Sequence, residues 1–279
     1  MTLPAGFDLD SFVTAVLAED LGTGGDVTSA ATIDADARFT AAMNAREPIV
    51  VAGLEIAAAF FRRLDPDVAI EFGATDGDGV EAGALLMRLQ GKARAMLTAE
   101  RSALNTLQHL SGIATLTRRY VDAIEGTGAV LIDTRKTIPG LRALDKYAVL
   151  MGGAQNHRLR LDDGILIKDN HVAVNGGVAV AVRRAKAANT GLQVQVEVDR
   201  IDQIEPALEA GADRLLLDNM PPPVLREAVT LVAGRAPLEA SGGVNLDTIR
   251  AIAETGVDFI SAGRITQSAP AVDIGLDYS

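Results

Sequence analysis

Residues 193–219 read QVQVEVDRIDQIEPALEAGADRLLLDN. Two short runs rich in apolar residues, 193–198 and 214–218, flank a helical pattern at 202–210. Short apolar runs that alternate with helices are typical of parallel strands covered on both faces. This stretch therefore predicts a strand–helix–strand unit of a parallel α/β fold.

The same alternation extends through the second half of the chain. Its apolar runs are Ala129–Asp133, Gly164–Lys168, Gln193–Val198, Arg214–Asp218, Pro237–Ser241 and Asp258–Ala262, and further helical patterns lie at 174–188, 222–233 and 245–254. Six strands are too few for the standard β/α barrel, which has eight strands in about 250 residues. The pattern predicts either an incomplete barrel or an open doubly wound sheet.

The first hundred residues mix helices and strands without strict alternation. The patterns predict helices over 8–20, with Asp8 as N-cap, and 53–64, strand-like stretches at 37–52 and 84–97, a turn at 76–83 and a long helix over roughly 98–125. The glycine-rich segment 19–28 lacks the preceding strand and the Gly-Lys-Ser/Thr ending of a P-loop. We therefore interpret it as a structural turn with capping Asp and Thr side chains.

Composition excludes several classes of function. The 279 residues carry a formal net charge of −11, which argues against binding to nucleic acid or to an anionic membrane. The chain has no cysteine, so it has no disulfide, thiolate nucleophile or Cys-ligated metal. The N-terminus lacks a basic and apolar leader, and no apolar run approaches the ~20 residues of a membrane span. We expect a soluble cytoplasmic protein.

Cations concentrate near the ends of the predicted strands despite the acidic balance. Arg135 and Lys136 follow the first run, His157 and Arg158 precede the second, and Lys168 ends the second. Arginine offers a planar fork to carboxylates and phosphates, and lysine acts as a point charge. These residues predict a pocket for a small polyanion, while three neighbours could equally be surface charges: Arg142, Lys146 and Arg160.

Acids and glycines end the later strands. Glu197 and Asp218 could hold Mg²⁺ together with phosphate oxygens, could bind ribose hydroxyls, or could pair with the lysines. The turn Ser241–Gly243 and, one strand later, Gly263 offer unobstructed backbone N–H groups to an anion before a helix. Because active sites of β/α barrels lie at the carboxyl ends of the strands, we expect these residues to share one edge.

Arg101 suggests a separate anion contact. The predicted helix start puts it in the first turn, where the helix dipole disfavours a cation by ~0.3–1 kcal/mol. A bound anion, or a nearby acid such as Glu100, would compensate for this cost.

Taken together, these motifs resemble the quinolinate phosphoribosyltransferases. The resemblance covers nearly the whole chain in order and rests on 19–28, 97–101, Asp133–Gly140, Asn156–Arg158, Ile167–His171, Val196–Val198, Leu217–Asn219 and Ala240–Gly243. It implies an α/β fold with an N-terminal α/β sandwich domain over 1–110 and an incomplete, open β/α barrel over 111–267, with the tail 268–279 packing on the first domain. It also implies transfer of phosphoribose from 5-phosphoribosyl 1-pyrophosphate (PRPP) to quinolinate with loss of CO₂.

The resemblance further implies Mg²⁺ as cofactor and a homodimer, or a higher oligomer, in which Arg101 reaches the partner's site. It assigns catalysis to Lys136, Lys168, Glu197 and Asp218, the metal to Glu197 and Asp218, and substrate binding to Arg101, Arg135, Thr137, His157, Arg158, Lys168, Ser241, Gly242, Gly243, Gly263 and Arg264.

One departure concerns the last strand. The family commonly has Gly-Ala-Leu-Thr-His there, and this chain has Gly263-Arg264-Ile265-Thr266-Gln267, so that any phosphate contact of the histidine is lost or passes to Arg264 or Gln267. This divergence keeps the molybdenum-utilisation homologues of the same fold as an alternative. A Schiff-base lyase using Lys168 or Lys136, and a binding protein without turnover, are the others.

Overall fold

The computed structural model describes residues 6–278, which fall into two compact units. The first comprises the described residues of Met1–Arg118, Ala143–Gly153 and Ala269–Ser279, and the second comprises Arg119–Arg142 and Ala154–Ser268. Segment 143–153, expected in the barrel domain, thus groups with the first unit. Two contacts within that unit hold it: His109 Nε2 lies 2.9 Å from Asp145 Oδ1, and the Tyr147 hydroxyl donates to Asp76 at 2.5 Å.

Helices and strands follow one another along the chain in both units. In chain order the elements are α1 (Leu9–Leu21), α2 (Val27–Thr32), β1 (Arg38–Ala45), β2 (Ile49–Val50), α3 (Leu54–Leu64), β3 (Ala69–Phe72), β4 (Gly79–Val80), β5 (Leu85–Lys92), α4 (Ala93–Ala123), β6 (Val130–Ile132), α5 (Arg142–Met151), β7 (Ile165–Ile167), α6 (Asp169–Asn175), α7 (Val178–Ala187), β8 (Val194–Val198), a 3-10 turn (Ile201–Gln203), α8 (Ile204–Glu209), β9 (Arg214–Asp218), α9 (Pro222–Val232), β10 (Leu238–Ser241), α10 (Ile249–Ala253), β11 (Phe259–Ser261), α11 (Arg264–Gln267) and β12 (Ile274–Tyr278). No helix within 6–278 is long and apolar enough to span a bilayer.

The first unit is built on an antiparallel sheet with the order β12-β1-β5-β3. Helix α1 begins as predicted, because the Asp8 carboxylate accepts a hydrogen bond from the Ser11 N–H at 3.0 Å. Asp26 caps α2 in the same way and also accepts from the Thr98 hydroxyl, so the glycine-rich segment before it is a structural turn.

Helix α4 corrects one prediction. It begins at Ala93 rather than near residue 98, so Arg101 lies about two turns inside the helix and not in its first turn. The dipole argument for an anion at Arg101 is therefore wrong, since that effect fades beyond the first turn.

The second unit contains a six-stranded parallel sheet with the order β6-β11-β10-β9-β8-β7. Consecutive strands from β7 to β11 lie side by side, and β11 then pairs with β6. A doubly wound sheet would instead reverse its strand order midway. The connectivity is that of a barrel left open between β6 and β7, so the predicted fold class is confirmed.

Segment 154–157 occupies part of the opening beside β6. The Gln155 N–H donates to Leu131 O at 3.0 Å, and the Asp133 N–H donates to Gln155 O at 3.1 Å. The buried Asp133 carboxylate then accepts from the His157 N–H at 2.7 Å and from Asn156 Nδ2 at 2.7 Å. These bonds fix His157 and Arg158 beside the carboxyl end of β6.

Strand register determines which side chains share a face. Gln195 pairs with Arg214, Glu197 with Leu216, Leu216 with Glu239, and Asp218 with Ser241. Side chains at paired positions, and at every second residue, point to the same face. One face therefore carries Glu197, Asp218 and Ser241 at the carboxyl ends, above Gln195, Arg214 and Glu239.

Gly112 provides a test of how the C-terminal tail packs within the first unit. A Cβ at Gly112 would lie 2.1 Å from Pro270 O, beside the tail hydrogen bonds from the Val272 N–H to Gln108 O and from Gln108 Nε2 to Ile274 O. We expect Gly112→Ala to lower the free energy of unfolding by about 1–3 kcal/mol. Chemical denaturation would measure it, with Gly24→Ala as control, because a Cβ at Gly24 meets nothing within 4 Å. Equal stability of the two variants would contradict this packing.

Candidate active site

A cavity of about 830 Å³ opens at the carboxyl ends of the second unit's strands, and we call it the strand-end cavity. Most of the site residues predicted from the sequence line this cavity: Arg135, Lys136, His157, Arg158, Lys168, Glu197, Asp218, Ser241, Gly242, Gly243, Gly263 and Arg264. Topology thus gathers residues that are up to 129 positions apart into one site (Arg135 and Arg264).

Two of the predicted site residues, Thr137 and Arg101, do not line the cavity. The Thr137 side chain instead accepts a hydrogen bond from Arg142 Nε at 3.1 Å, so its hydroxyl supports the loop after β6. Arg101 lies on α4 in the first unit, where it is exposed.

Four cations form one side of the cavity: Arg135, Lys136, Arg158 and Lys168. Burial lowers the pKa of Arg158, and the nearby charge of Arg135 lowers it further. The Arg158 guanidinium donates to Gly164 O at 2.9 Å, while the buried Nε of Arg135 has no hydrogen-bond partner among residues 6–278. The charge of Asp163 opposes these two effects at Arg158 without outweighing them. Two neighbouring guanidiniums in this setting favour an anionic ligand between them.

Lys136 is held by two features of the segment after β11. The buried Thr266 hydroxyl donates to Lys136 O at 2.7 Å. A Cβ at Gly263 would lie 2.8 Å from Lys136 Cδ, so the lysine stem crosses the glycine. Gly263 thus makes room for Lys136, and the helix that follows it, α11, has only four residues.

The three ambiguous cations lie elsewhere. Arg142 bonds Thr137 and the Leu159 carbonyl, Arg160 is exposed and pairs with Asp162 at 2.9 Å, and Lys146 is buried on α5. None of them lines the strand-end cavity.

Glu197 and Asp218 form the acidic side. Burial raises the pKa of Glu197, and the charge of Asp218 raises it further against the opposing effect of Lys168. Burial also raises the pKa of Asp218, although a hydrogen bond from Asn219 Nδ2 at 2.6 Å and the charges of Lys136 and Lys168 oppose it. Crowded, partly desolvated carboxylates of this kind gain stability from a cation or from hydroxyl donors.

The acidic side suits a metal ion that arrives with its substrate. Within residues 6–278 no three His, Asp or Glu side chains gather closely enough to form a metal site. Mg²⁺ commonly binds through one or two carboxylates and completes its shell with water and phosphate oxygens. Glu197 and Asp218 therefore fit a Mg²⁺–diphosphate complex better than a resident ion.

The Ser241–Gly243 turn requires glycine at its centre. Gly242 has φ +93°, and a Cβ there would lie 2.1 Å from Asn219 Oδ1. Asn219 itself has φ +55°, and its N–H donates to Ser241 O at 2.9 Å. The helix expected near residue 245 begins only at Ile249, so any anion contact comes from the turn and not from a helix N-terminus.

Sequence reasoning missed the polar side chains inside the strands. Glu239 and Ser261 line the cavity although both are buried, and Glu239 contacts Gln195 and Arg214. The available signal was the presence of Arg214 and Glu239 within apolar runs, because such residues are rarely buried unless they are paired.

The raised pKa of Glu197 predicts a stability gain from its removal. Because the folded pKa lies above the unfolded one, ionisation of Glu197 weakens folding as the pH rises through that window. We expect Glu197→Gln to raise Tm by about 1–3 °C near pH 7 in protein without Mg²⁺. Below the ordinary glutamate pKa of about 4.3 the gain should vanish. Scanning calorimetry at both pH values measures it, and a lower Tm near pH 7 would contradict the prediction.

Comparison with known proteins identifies the family. Family models for the N-terminal and C-terminal domains of quinolinate phosphoribosyl transferase match residues 26–111 and 113–277. The chain is 45% identical to nicotinate-nucleotide pyrophosphorylase (carboxylating) of Mycobacterium leprae (strain TN), with 94% of each chain covered, and 41% identical to the chloroplastic protein of that name from Oryza sativa subsp. japonica, over 97% of this chain and 77% of the relative. The nicotinate-nucleotide pyrophosphorylase structure from Francisella tularensis matches at a TM-score of 0.94 and 40% identity over the whole of both chains. The resemblance in the motifs is confirmed, and this chain belongs to the quinolinate phosphoribosyltransferase family.

Proposed function

We propose that this chain transfers phosphoribose from PRPP to quinolinate, with decarboxylation, to give nicotinate mononucleotide, pyrophosphate and CO₂. The observation that carries the proposal is the division of the strand-end cavity. A side with Arg135, Arg158 and Lys168 suits a dicarboxylate, and a side with two carboxylates and a glycine turn suits a phosphorylated sugar. Lys136 belongs to the same wall and is assigned to the space between the two substrates.

The reaction needs positioning and charge more than a protein nucleophile. The bond from the ribose anomeric carbon to pyrophosphate breaks, and the pyridine nitrogen donates its electron pair to that carbon. The bond to the 2-carboxyl group then breaks with its electron pair left on C2, beside the positive ring nitrogen, and C2 takes a proton from water. In such transfers, fixed charges and orientation supply most of the rate enhancement.

Each side of the cavity has its own task in this scheme. Arg135 and Arg158 hold the carboxylates, with Lys168 beside them. Lys136 offsets charge that develops on the leaving pyrophosphate. Glu197 and Asp218 accept hydrogen bonds from ribose hydroxyls and hold Mg²⁺, which when bound neutralises diphosphate charge.

Phosphate contacts are assigned to the two turns that follow β10 and β11. The first turn lines the cavity with Ser241, Gly242 and Gly243, and the second turn lines it with Gly263 and Arg264. Gln267 also lines the cavity, at the position where the family pattern has histidine. Arg264 is the side chain with a positive charge there, and we assign the 5′-phosphate to it.

Assembly and location are also part of the proposal. We infer a homodimer in which Arg101 of one protomer completes the site of the other, as the family resemblance implies. The Arg101 side chain is exposed on α4, as such a contact requires. A cytoplasmic location is also proposed for this chain, whereas plant relatives carry the words chloroplastic or mitochondrial in their names.

Purified protein would test the function directly. With Mg²⁺, PRPP and carboxyl-labelled quinolinate, we expect labelled CO₂ and nicotinate mononucleotide in equal amounts, and neither product when PRPP is left out. Borohydride trapping of a carbonyl substrate on Lys168 or Lys136, without CO₂ release, would instead support the Schiff-base lyase. Binding of phthalate without any pyrophosphate release would indicate a homologue that has lost turnover.

A further inference from the structure

Beneath the cationic side of the cavity lies a buried chain of polar side chains. Arg214 Nη2 lies 2.8 Å from Glu239 Oε2, and Gln195 Nε2 donates to the same oxygen at 2.7 Å. Gln195 Oε1 lies 3.0 Å from His157 Nε2. Glu239 is only 1% exposed and Gln195 only 6%, so water does not share these bonds freely. The chain therefore runs from the barrel interior to a residue of the cavity wall.

Two hydrogen bonds, one at each ring nitrogen, fix the position of the proton on His157. The Arg158 N–H lies 2.7 Å from His157 Nδ1, and a backbone N–H can only donate. Nδ1 therefore carries a lone pair, and the proton sits on Nε2, which donates to Gln195 Oε1. Because the Gln195 amide nitrogen donates to Glu239, its oxygen must face His157. Each of the two hydrogen bonds of Gln195 then has one donor and one acceptor.

The charge at the base of the chain is also matched. His157 Nε2 also lies 3.5 Å from Glu239 Oε2. Burial raises the pKa of the Glu239 carboxyl, but the hydrogen bonds from His157 and Gln195, with the charge of Arg214, outweigh this and leave its pKa below the ordinary value. Arg214 further stacks over the Phe259 ring, with its guanidinium carbon 3.8 Å from the ring centroid. An ionised Glu239 can thus remain a hydrogen-bond acceptor in a buried place.

We propose that Gln195 and Glu239 are positioning residues that hold the His157 ring with its proton on Nε2 and its Nδ1 lone pair toward the Arg158 N–H, so that the ring orients Arg158 toward the substrate carboxylates. The proposal rests on the proposed function for the identity of the dicarboxylate. The imidazole lines the cavity, but both ring nitrogens face protein groups.

Nitrogen NMR of the unmodified protein gives the first test. The chain has three histidines, so the ring signals of His157 can be assigned by substituting His109 and His171 in turn. Near neutral pH we expect a neutral Nε2–H ring, unchanged when phthalate, an unreactive dicarboxylate, is bound. A ring that carries protons on both nitrogens, before or after phthalate binds, would overturn the proposal. This result does not depend on turnover, so it is distinguishable from failure of the proposed function.

Gln195→Met gives the second test, with Gln193→Met as the matched control because Gln193 is exposed just before β8. We expect Gln195→Met to lose the single tautomer and to raise the KM for quinolinate about 10-fold or more, while the KM for PRPP changes less than about twofold. The control should match the parent. Equal increases in both KM values, or an unchanged KM for quinolinate with the tautomer lost, would contradict the positioning role. If Gln195→Met does not fold, the NMR measurement on the parent still decides.

Discussion

Lys136→Ala is expected to lower kcat/KM by about 10³-fold or more, because it removes a fixed charge from the place where pyrophosphate charge develops. Lys136 lines the strand-end cavity, and the bond from Thr266 together with the space at Gly263 holds it there. The loss should fall mainly on kcat, since an interaction that strengthens in the transition state lowers kcat more than substrate affinity. Steady-state assays of nicotinate mononucleotide formation would measure it.

Two further variants make this prediction specific. Arg160→Ala removes a nearby but exposed cation that pairs with Asp162, and we expect activity within about twofold of the parent. Gly263→Ala keeps the lysine but forces its stem aside, so it should lose part of the activity. If Lys136→Ala retained most of its turnover, or if Arg160→Ala lost as much, the assignment of Lys136 would be wrong.

The strand pattern alone predicted parallel α/β structure but did not choose between two architectures. The choice depends on β11 pairing with β6, which are more than a hundred residues apart in the chain. Apolar periodicity reports which face of an element is buried, and it carries no information about which strand lies beside which. The open-barrel architecture was predicted by the family resemblance and not by the strand pattern.

The wrong start of α4 has a local cause. Residues 84–97 were interpreted as one strand-like stretch, but β5 ends at Lys92 and the helix follows at once. The five residues 93–97 are too few to distinguish the two-residue period of a strand from the 3.6-residue period of a helix. The end of an element is therefore harder to predict from a sequence than the element itself. The consequence was the incorrect dipole argument for Arg101.

For the candidate site, residues at strand ends were predictable and residues inside strands were not. Lys168 and Asp218 are the last residues of apolar runs and Glu197 is the last but one, so their convergence follows from parallel topology. Gln195 and Glu239 stand within runs, and only the register of β8, β9 and β10 shows that they lie on the same face as the site. Asn219 was missed as a partner of Gly242 because its positive φ cannot be read from composition.

A mixture of Arg101→Ala and Lys136→Ala proteins should regain activity that neither variant has alone. Each homodimer would lack one essential cation in both of its sites. In a hybrid dimer with shared sites, one site carries both substitutions and the other carries neither. Random assortment makes half of the dimers hybrid, so the mixture should show about a quarter of the parental activity in a two-fold symmetric dimer. Mixing after reversible dissociation, with hybrids isolated by two different affinity tags, would measure it.

The matched control is a mixture of Lys136→Ala with Lys168→Ala. Both lysines belong to the same cavity wall within the second unit, so each site of that hybrid keeps one damaged residue and no activity should return. The two mixtures differ only in whether the second substitution lies on Arg101 or on the wall. Recovery in the first and none in the second requires Arg101 to act across the dimer. If isolated hybrids of Arg101→Ala and Lys136→Ala stay inactive, Arg101 serves its own protomer or only the fold, and the shared site must be abandoned.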